Sequence, residues 1–292
     1  MNSHDLQQFE SCRPLMFSIA YRMLGSAAEA EDMLQEAFLR FQNTSRNEIV
    51  SVKAFLSTIV TRLCINRLES AQNQRETYIG PWLPEPVLTT PDESLDAIQR
   101  AELHESLSMA FLVLLEQLTP LERAVFLLRQ VFDYEYHEIA DMIGKNEHAC
   151  RQLFSRAKKH ISENRPRFKT NPETHRAMLE QFIAAVSRGE FDGLLQLLSE
   201  DVTLWADGGG KVRGAALEPL RGREAVARFV IASPRLAIGP LEPRIVIVNG
   251  ELSLLLTAEG QTRFVVMISV DETRVREIRI IGNPDKLTGV NQ

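Results

Sequence analysis

Long apolar runs are missing from this chain. None reaches the roughly 20 residues that a helix needs to cross a bilayer, so no membrane segment is expected. The opening MNSHDLQQFE has neither the basic flank nor the apolar stretch of a secretory leader, and a cytoplasmic location is the expectation. Cysteine is scarce. Cys12, Cys64 and Cys150 lie far apart among apolar residues at helical spacing, a pattern that argues against a disulfide framework or metal site and predicts buried, reduced thiols. There is no low-complexity tract and no internal repeat, so the 292 residues are expected to form two or three compact units with their own cores. An excess of positive charge is absent too. The net charge of −6 argues, on its face, against a nucleic-acid partner.

The distribution of charge says otherwise. From Lys145 to Lys169 there are eight basic residues (Lys145, Arg151, Arg156, Lys158, Lys159, Arg165, Arg167, Lys169) and two acidic ones, Glu147 and Glu163. One basic stretch on an acidic protein suits a DNA contact made by a single element, with the acidic surface left for a protein partner.

Residues 5–75 read as helices. Gly25-Ser26 breaks them, and Ser26 is placed to cap a helix whose apolar stripe is Met33, Leu34, Ala37, Phe38 and Phe41. Asp32, Gln35 and Glu36 share its other side. A polar loop at 42–51 leads to a helix with Phe55, Leu56, Ile59 and Leu63 inward and Thr58, Arg62, Asn66 and Arg67 facing elsewhere. Residues 76–96 carry too many prolines for a helix and read as a semi-extended linker, although Trp82 and Leu83 are too apolar for a solvated spacer.

Helical patterning resumes at 97–168, where Thr119, Pro120 and Glu122 form a capping box. Beyond 170 a helix starts at Asn171-Pro172, carries Met178, Phe182 and Val186 on one face and ends near Gly189. A shorter helix to about Ser199 follows, then a strand alternating Val202, Leu204 and Ala206, a helix over 222–231, and strands at 244–248, 252–258, 263–270 and 274–281. Helices first and strands last argue for an α+β domain separate from the all-α part.

Residues 134–161 have the layout of a helix-turn-helix. Tyr136 to Ile143 forms a short helix with Ile139, Ala140 and Ile143 inward, Gly144-Lys145 supplies the turn, and Asn146 caps a helix packed through Cys150, Leu153, Phe154 and Ala157. Its free positions carry His148, Arg151, Gln152, Ser155, Arg156 and Lys159. Arg and Gln can bond base edges bidentately, and Lys and Ser reach phosphates; each good base contact discriminates by about 1–3 kcal/mol. The plain alternative is a solvated helix pair with a basic face.

Leu118-Thr-Pro-Leu-Glu-Arg-Ala-Val-Phe-Leu-Leu-Arg129, Tyr136-His-Glu-Ile-Ala140 and Arg151-x-x-x-Ser-Arg-Ala157 together resemble region 4 of extracytoplasmic-function sigma factors. Ala30-Glu-Asp-Met-Leu-Gln-Glu-Ala-Phe38 and Phe55-Leu-x-x-Ile-x-x-x-x-Cys-Ile-Asn-Arg-Leu68 resemble region 2. The resemblance implies region 2 over 1–75 for core RNA polymerase and the −10 element, a proline-rich linker over 76–99, and region 4 over 100–168 for the −35 element. It implies that Asp32, Gln35, Glu36 and Arg40 dock on the polymerase. It also implies that Asn43, Ser45, Arg46 and Asn47, with Arg62 and Asn66, meet an unstacked −10 base; simple solvation is the alternative for each loop residue. Phe55 stands where many relatives have Trp, so no strand-opening role is assigned to it.

Trp82-Leu83-Pro84-Glu85-Pro86, Asp207-Gly208-Gly209-Gly210-Lys211 and Asn283-Pro284-Asp285-Lys286-Leu287 are similar to signatures of sigma factors fused to a SnoaL-like domain, here 170–292. That implies a nuclear-transport-factor-like sheet wrapped by helices around a pocket, with the three segments at an interdomain regulatory contact. A built-in regulator is the leading role, and a small-molecule or protein effector is a further partner to consider. An enzyme reading draws on Asp207 and Asp201, but no His follows His175. Asp207 to Lys211 reads most simply as a hairpin-like turn needing positive φ, with the Asp and Lys as candidate pocket residues. His137-Glu-x-x-Asp141 lacks the second His of a zinc-protease helix, and Gly208, Gly210 and Gly214 have no strand–turn–helix context for a dinucleotide. No cofactor or metal is expected. The competing whole-chain reading, a ligand-sensing regulator that binds duplex DNA alone, leaves region 2 without a purpose.

Overall fold

The computed structural model describes residues 3–45, 49–75, 78–90, 105–164, 171–233, 239–271 and 273–291. The chain divides into two compact units: Met1–Glu76 with Met109–Arg165, and Thr77–Ser108 with Pro166–Gln292.

The first unit is all-α: α1 (Ser3–Leu24), α2 (Ala27–Asn43), α3 (Val52–Arg75), α4 (Met109–Leu115), α5 (Pro120–Gln130), α6 (Tyr136–Ile143) and α7 (Glu147–Asn164). Gly25 turns at φ +69° and the Ser26 hydroxyl accepts the Glu29 N–H, so α1 ends and α2 begins where expected. The capping box of α5 is complete: the Thr119 hydroxyl takes the Glu122 N–H, and the Glu122 carboxylate takes the Thr119 N–H. Leu34, Ala37 and Phe41 of α2 pack on α1 and α3, around the fully buried Tyr21, Met16 and Leu56. Burying a side chain the size of Phe41 or Leu56 is worth about 1.5–3 kcal/mol.

The helices flanking the linker segment belong to one core. Arg123 of α5 is 2% exposed; its Nη1 donates to the Met23 carbonyl of α1 at 2.6 Å and to Glu116 at 2.7 Å. Burial lowers the Arg123 guanidinium to about 10, still charged at neutral pH. The Tyr134 hydroxyl donates to Ser57 of α3 at 2.9 Å.

The second unit is α+β, as read. It holds α8 (Pro172–Arg188), α9 (Phe191–Leu197), β1 (Leu198–Asp207), β2 (Leu220–Arg221), α10 (Arg223–Ala232), β3 (Glu242–Val248), β4 (Glu251–Ala258), β5 (Gln261–Val270), β6 (Val275–Ile281) and two 3₁₀ turns, Pro284–Lys286 and Thr288–Val290. The sheet order is β2-β1-β6-β5-β4-β3; only β1 and β6 pair in parallel. Val202, Leu204 and Ala206 of β1 face a core shared with Leu179 and Phe182 of α8 and Val226 of α10. The expected strands all form, most starting one or two residues earlier. The two-residue β2 was too short to show a period.

Some expectations shift. Ile143 was placed inward, but α6 turns so that Met142 is buried and Ile143 half-buried. Phe154 is half-buried, stacked 5.9 Å from Phe126. Cys64 and Cys150 are buried, whereas Cys12 is half-buried midway along α1; all three are free thiols. Burial raises the thiols of Cys64 and Cys150 further from reactivity.

Candidate functional site

The helix-turn-helix geometry is present. Gly144 ends α6 in the left-handed region at φ +66°, and the Asn146 side-chain oxygen accepts the Ala149 N–H at the start of α7. Cys150, Leu153, Ala157 and Ile161 face the core, which leaves His148, Arg151, Gln152, Ser155, Arg156 and Lys159 exposed on the other side. Arg151 pairs with Glu147 at 2.5 Å and lies 4.5 Å over the Tyr136 ring; Arg156 pairs with Glu122 at 2.8 Å. Burial would raise the Glu122 carboxyl, but Arg156 and Thr119 outweigh it and hold it below the usual range. The exposed Arg151–Glu147 pair contributes about 0–1 kcal/mol, while Glu122 is largely buried and holds Arg156 the more firmly.

On α2, Asp32, Gln35 and Arg40 are exposed and Glu36 half-buried, with Glu36 bridging to Arg40 at 2.8 Å. Four of the −10 candidates fall among the described residues. Asn43 ends α2 and Ser45 follows it, both exposed, and Asn66 is exposed on α3; Arg46 and Asn47 lie outside the described residues. Arg62 reaches elsewhere. Its Nε donates to the Met142 carbonyl at 2.7 Å and its Nη2 to the Asp141 carbonyl at 2.8 Å, so a cation sits on the negative end of α6. Phe55 stays within the aromatic packing, 6.3 Å from Phe41.

In the second unit the three signature segments converge on one carboxylate. The Asp207 side chain is fully buried; Oδ1 accepts the Tyr78 hydroxyl at 2.5 Å, and Oδ2 accepts the Leu83 N–H at 2.8 Å and Lys286 Nζ at 2.6 Å. Lys286 also donates to the Leu83 carbonyl and lies 4.2 Å from the Trp82 ring centre. Asn283 donates to the Tyr78 oxygen at 2.9 Å and accepts the Asp285 N–H that starts the 3₁₀ turn, while Lys211 pairs with Asp285. Leu83, Pro84, Glu85 and Pro86 are buried and Trp82 is half-buried, so the linker's apolar residues do dock. Burial first, and then the bond to Asp207, raises the Tyr78 phenol.

The glycines are needed for room. Gly209 and Gly210 have φ of +56° and +71°; a Cβ on Gly209 would strike the Asn283 side chain, and one on Gly210 would come within 2.9 Å of Ile79. Positive φ was anticipated, and the turn opens a long loop to residue 219 that returns antiparallel beside β1 as the short β2, while β1's long partner is the parallel β6. Tyr78 and Asn249 were missed. Asn249 Oδ1 accepts the Val87 N–H at 3.1 Å and its Nδ2 donates to the Leu107 carbonyl, fixing the linker beside β3 through a Leu88–Val248 bridge. Asn249-Gly250 signalled only a turn.

The acid–base candidates do not form a pair. Asp207 is occupied by three donors, and Asp201 is exposed and bridged to Arg276 at 2.7 Å. Among the described residues no three His, Cys, Asp or Glu side chains cluster as metal ligands, and no helix is long and apolar enough to cross a membrane.

Sigma-70 region 2 matches residues 8–74, and Sigma-70 region 4 matches residues 108–161. The ECF RNA polymerase sigma factor SigJ of Mycobacterium tuberculosis is 35% identical over 98% of this chain and 94% of that protein. The chain belongs to the extracytoplasmic-function (ECF) RNA polymerase sigma factors. SigI of the same organism, named as a probable ECF sigma factor, is 30% identical over 98% of this chain and 97% of its own. The crystal structure of SigJ superposes with a TM-score of 0.74 at 33% identity, covering 97% of this chain and 98% of that one. The similarity therefore extends through the α+β domain. It also disfavours a regulator that acts on duplex DNA alone.

Proposed function

We propose that this ECF sigma factor binds core RNA polymerase and directs it to promoters, and that its C-terminal domain modulates that activity by holding the linker. Region 2, taken as 1–75, presents Asp32, Gln35, Glu36 and Arg40 to the polymerase and Asn43, Ser45, Arg46, Asn47, Arg62 and Asn66 to the −10 element. Region 4, taken as 100–168, reads the −35 element through His148, Arg151, Gln152, Ser155, Arg156 and Lys159. The linker, 76–99, joins the two, and 170–292 is the regulatory domain. Its role is structural and regulatory; with Asp207 committed to the linker, no free general acid–base group remains at that position.

The observation that carries the regulatory reading is the fully buried Asp207 carboxylate, which gathers Tyr78, Leu83 and Lys286. The segment it holds is the covalent strap between the promoter-reading modules. Removing one partner of such a buried pair costs about 3–5 kcal/mol, enough to release the strap. The test is transcription by core polymerase with the full chain and with Asp207→Asn, at matched sigma concentration. The reading expects the variant to bind core normally but initiate with an altered rate or promoter preference. Unchanged initiation by a folded variant contradicts it.

A further inference from the structure

A cavity of about 830 Å³ opens inside the C-terminal domain between α8, α10 and the sheet. Small-molecule sites typically span about 300–1,000 Å³ with mostly apolar walls. The wall here is largely carbon, with Phe182 and Val186 from α8, Phe229 from α10, Leu256 from β4, Phe264 from β5 and Ile280 from β6.

The charged groups lining it are Arg188, Asp207, Lys211, Arg213 and Arg263. Asp207 is taken up by the linker, Lys211 pairs with Asp285, and Arg188 lies 3.5 Å from Glu190. The other two are held less closely. Arg213 is exposed and has no ion pair or hydrogen bond among the described residues. Arg263 keeps a buried Nε–H without an acceptor, with Glu259 3.9 Å from its Nη2. An apolar chamber with two guanidiniums at its boundary, Arg213 exposed at the mouth and Arg263 with one buried N–H lacking an acceptor, is chemically matched to a molecule with an apolar body and one anionic head.

The cavity also shares a wall with the linker dock. Asp207, which binds Tyr78 and Leu83, lines the cavity, as do Pro284 and Leu287, which flank the Lys286 that grips the linker. A ligand that displaces this wall acts on the residues that hold the linker. It shifts the docked state by as much as it prefers one arrangement over the other.

We propose that the cavity binds an amphipathic organic acid, its single chain or fused-ring body against the Phe182–Phe264 wall and its anionic head on Arg213 and Arg263, and that occupancy changes Asp207's grip on the linker. The coupling rests on the regulatory reading of the dock; the ligand site does not.

The test uses the full chain carrying Trp205→Phe, which leaves Trp82 as the sole tryptophan. Dodecanoate, dodecanol and dodecyltrimethylammonium are titrated below their aggregation limits, with calorimetry for binding and Trp82 emission for docking. The expected result is saturable dodecanoate binding at least tenfold tighter than that of the cationic amphiphile, with a shift in Trp82 emission. Arg213→Glu with Arg263→Met should weaken dodecanoate at least tenfold and leave dodecanol unchanged, and Val186→Phe should weaken both. Absence of saturable dodecanoate binding, or equal affinity for the cation, overturns the ligand site. Lys286→Met without ligand separates the two claims. If it shifts Trp82 emission while dodecanoate fails to bind, the dock stands and the ligand site falls. If dodecanoate binds but neither it nor Lys286→Met moves Trp82, the ligand site stands and the coupling falls with the dock.

Discussion

Lys286 Nζ sits 2.6 Å from Asp207 Oδ2 and 4.2 Å from the centre of the Trp82 ring, so one cation serves a buried carboxylate and the linker's tryptophan together. Lys286→Met removes both interactions and leaves Asp207 with two donors instead of three. Loss of one partner from such a pair costs about 3–5 kcal/mol. In the Trp205→Phe background, Trp82 emission should move to the red and its quenching by iodide should rise. Identical spectra and quenching show that Lys286 does not hold the linker.

Arg62 carries a conflict of roles. Its guanidinium is on the Asp141 and Met142 carbonyls, yet the same side chain is proposed for the −10 element. Arg62→Ala should lower the stability of the helical unit by about 1 kcal/mol, since these bonds are partly exposed, and should weaken open-complex formation as well. Urea unfolding reads the first effect and permanganate footprinting the second. A variant that melts promoter DNA normally removes Arg62 from the −10 set.

Arg151→Ala and Arg156→Ala should each reduce discrimination between a matched and a mismatched −35 element by about 1–3 kcal/mol. Glu147, the partner of Arg151, is exposed, so the unfolding midpoint of Arg151→Ala should change little, whereas Arg156→Ala takes the cation from the largely buried Glu122 and should lower the midpoint. Competition footprinting of holoenzyme on the two templates checks this. Equal losses on both templates assign the side chains to phosphates instead of bases.

Burial pushes the Asp271 carboxyl up, but the N–H groups of Thr273 and Arg274 and the Arg276 guanidinium outweigh it and bring the group down to about 2. A depressed carboxyl stabilises the fold fully above its unfolded value near 3.9, and that contribution is lost as pH falls toward 2. The stability difference between wild type and Asp271→Asn should therefore be constant above about pH 5 and shrink below pH 4. Denaturant titrations at pH 7, 4 and 3 measure it; a pH-independent difference contradicts the assignment.

What the sequence revealed was local or periodic. The Ser26 cap, the Thr119–Glu122 box and the Gly144–Asn146 turn each lie within a few residues, and the strands after 242 show as alternation. The contacts that missed notice join distant single residues. Arg62 to Met142 spans 80 positions and Tyr78 to Asp207 spans 129, and no period marks either end. The three signature segments were recognisable by resemblance, but that Asp207 is where they meet depends on the sheet that brings β1 beside β6. The exchange of Ile143 for Met142 is a one-residue rotation of an eight-residue helix, too short for its pattern to fix the face.

The central claim is tested most directly by reconstitution. Purified full-length chain is added to core polymerase on a template carrying a promoter selected by the holoenzyme, and run-off transcripts are mapped. The account predicts a single-start transcript that requires both components and falls sharply when Asp32 and Glu36 are reversed to Lys, with the mutant failing to compete for core. A chain that binds the promoter duplex equally well without polymerase and supports no defined start contradicts it.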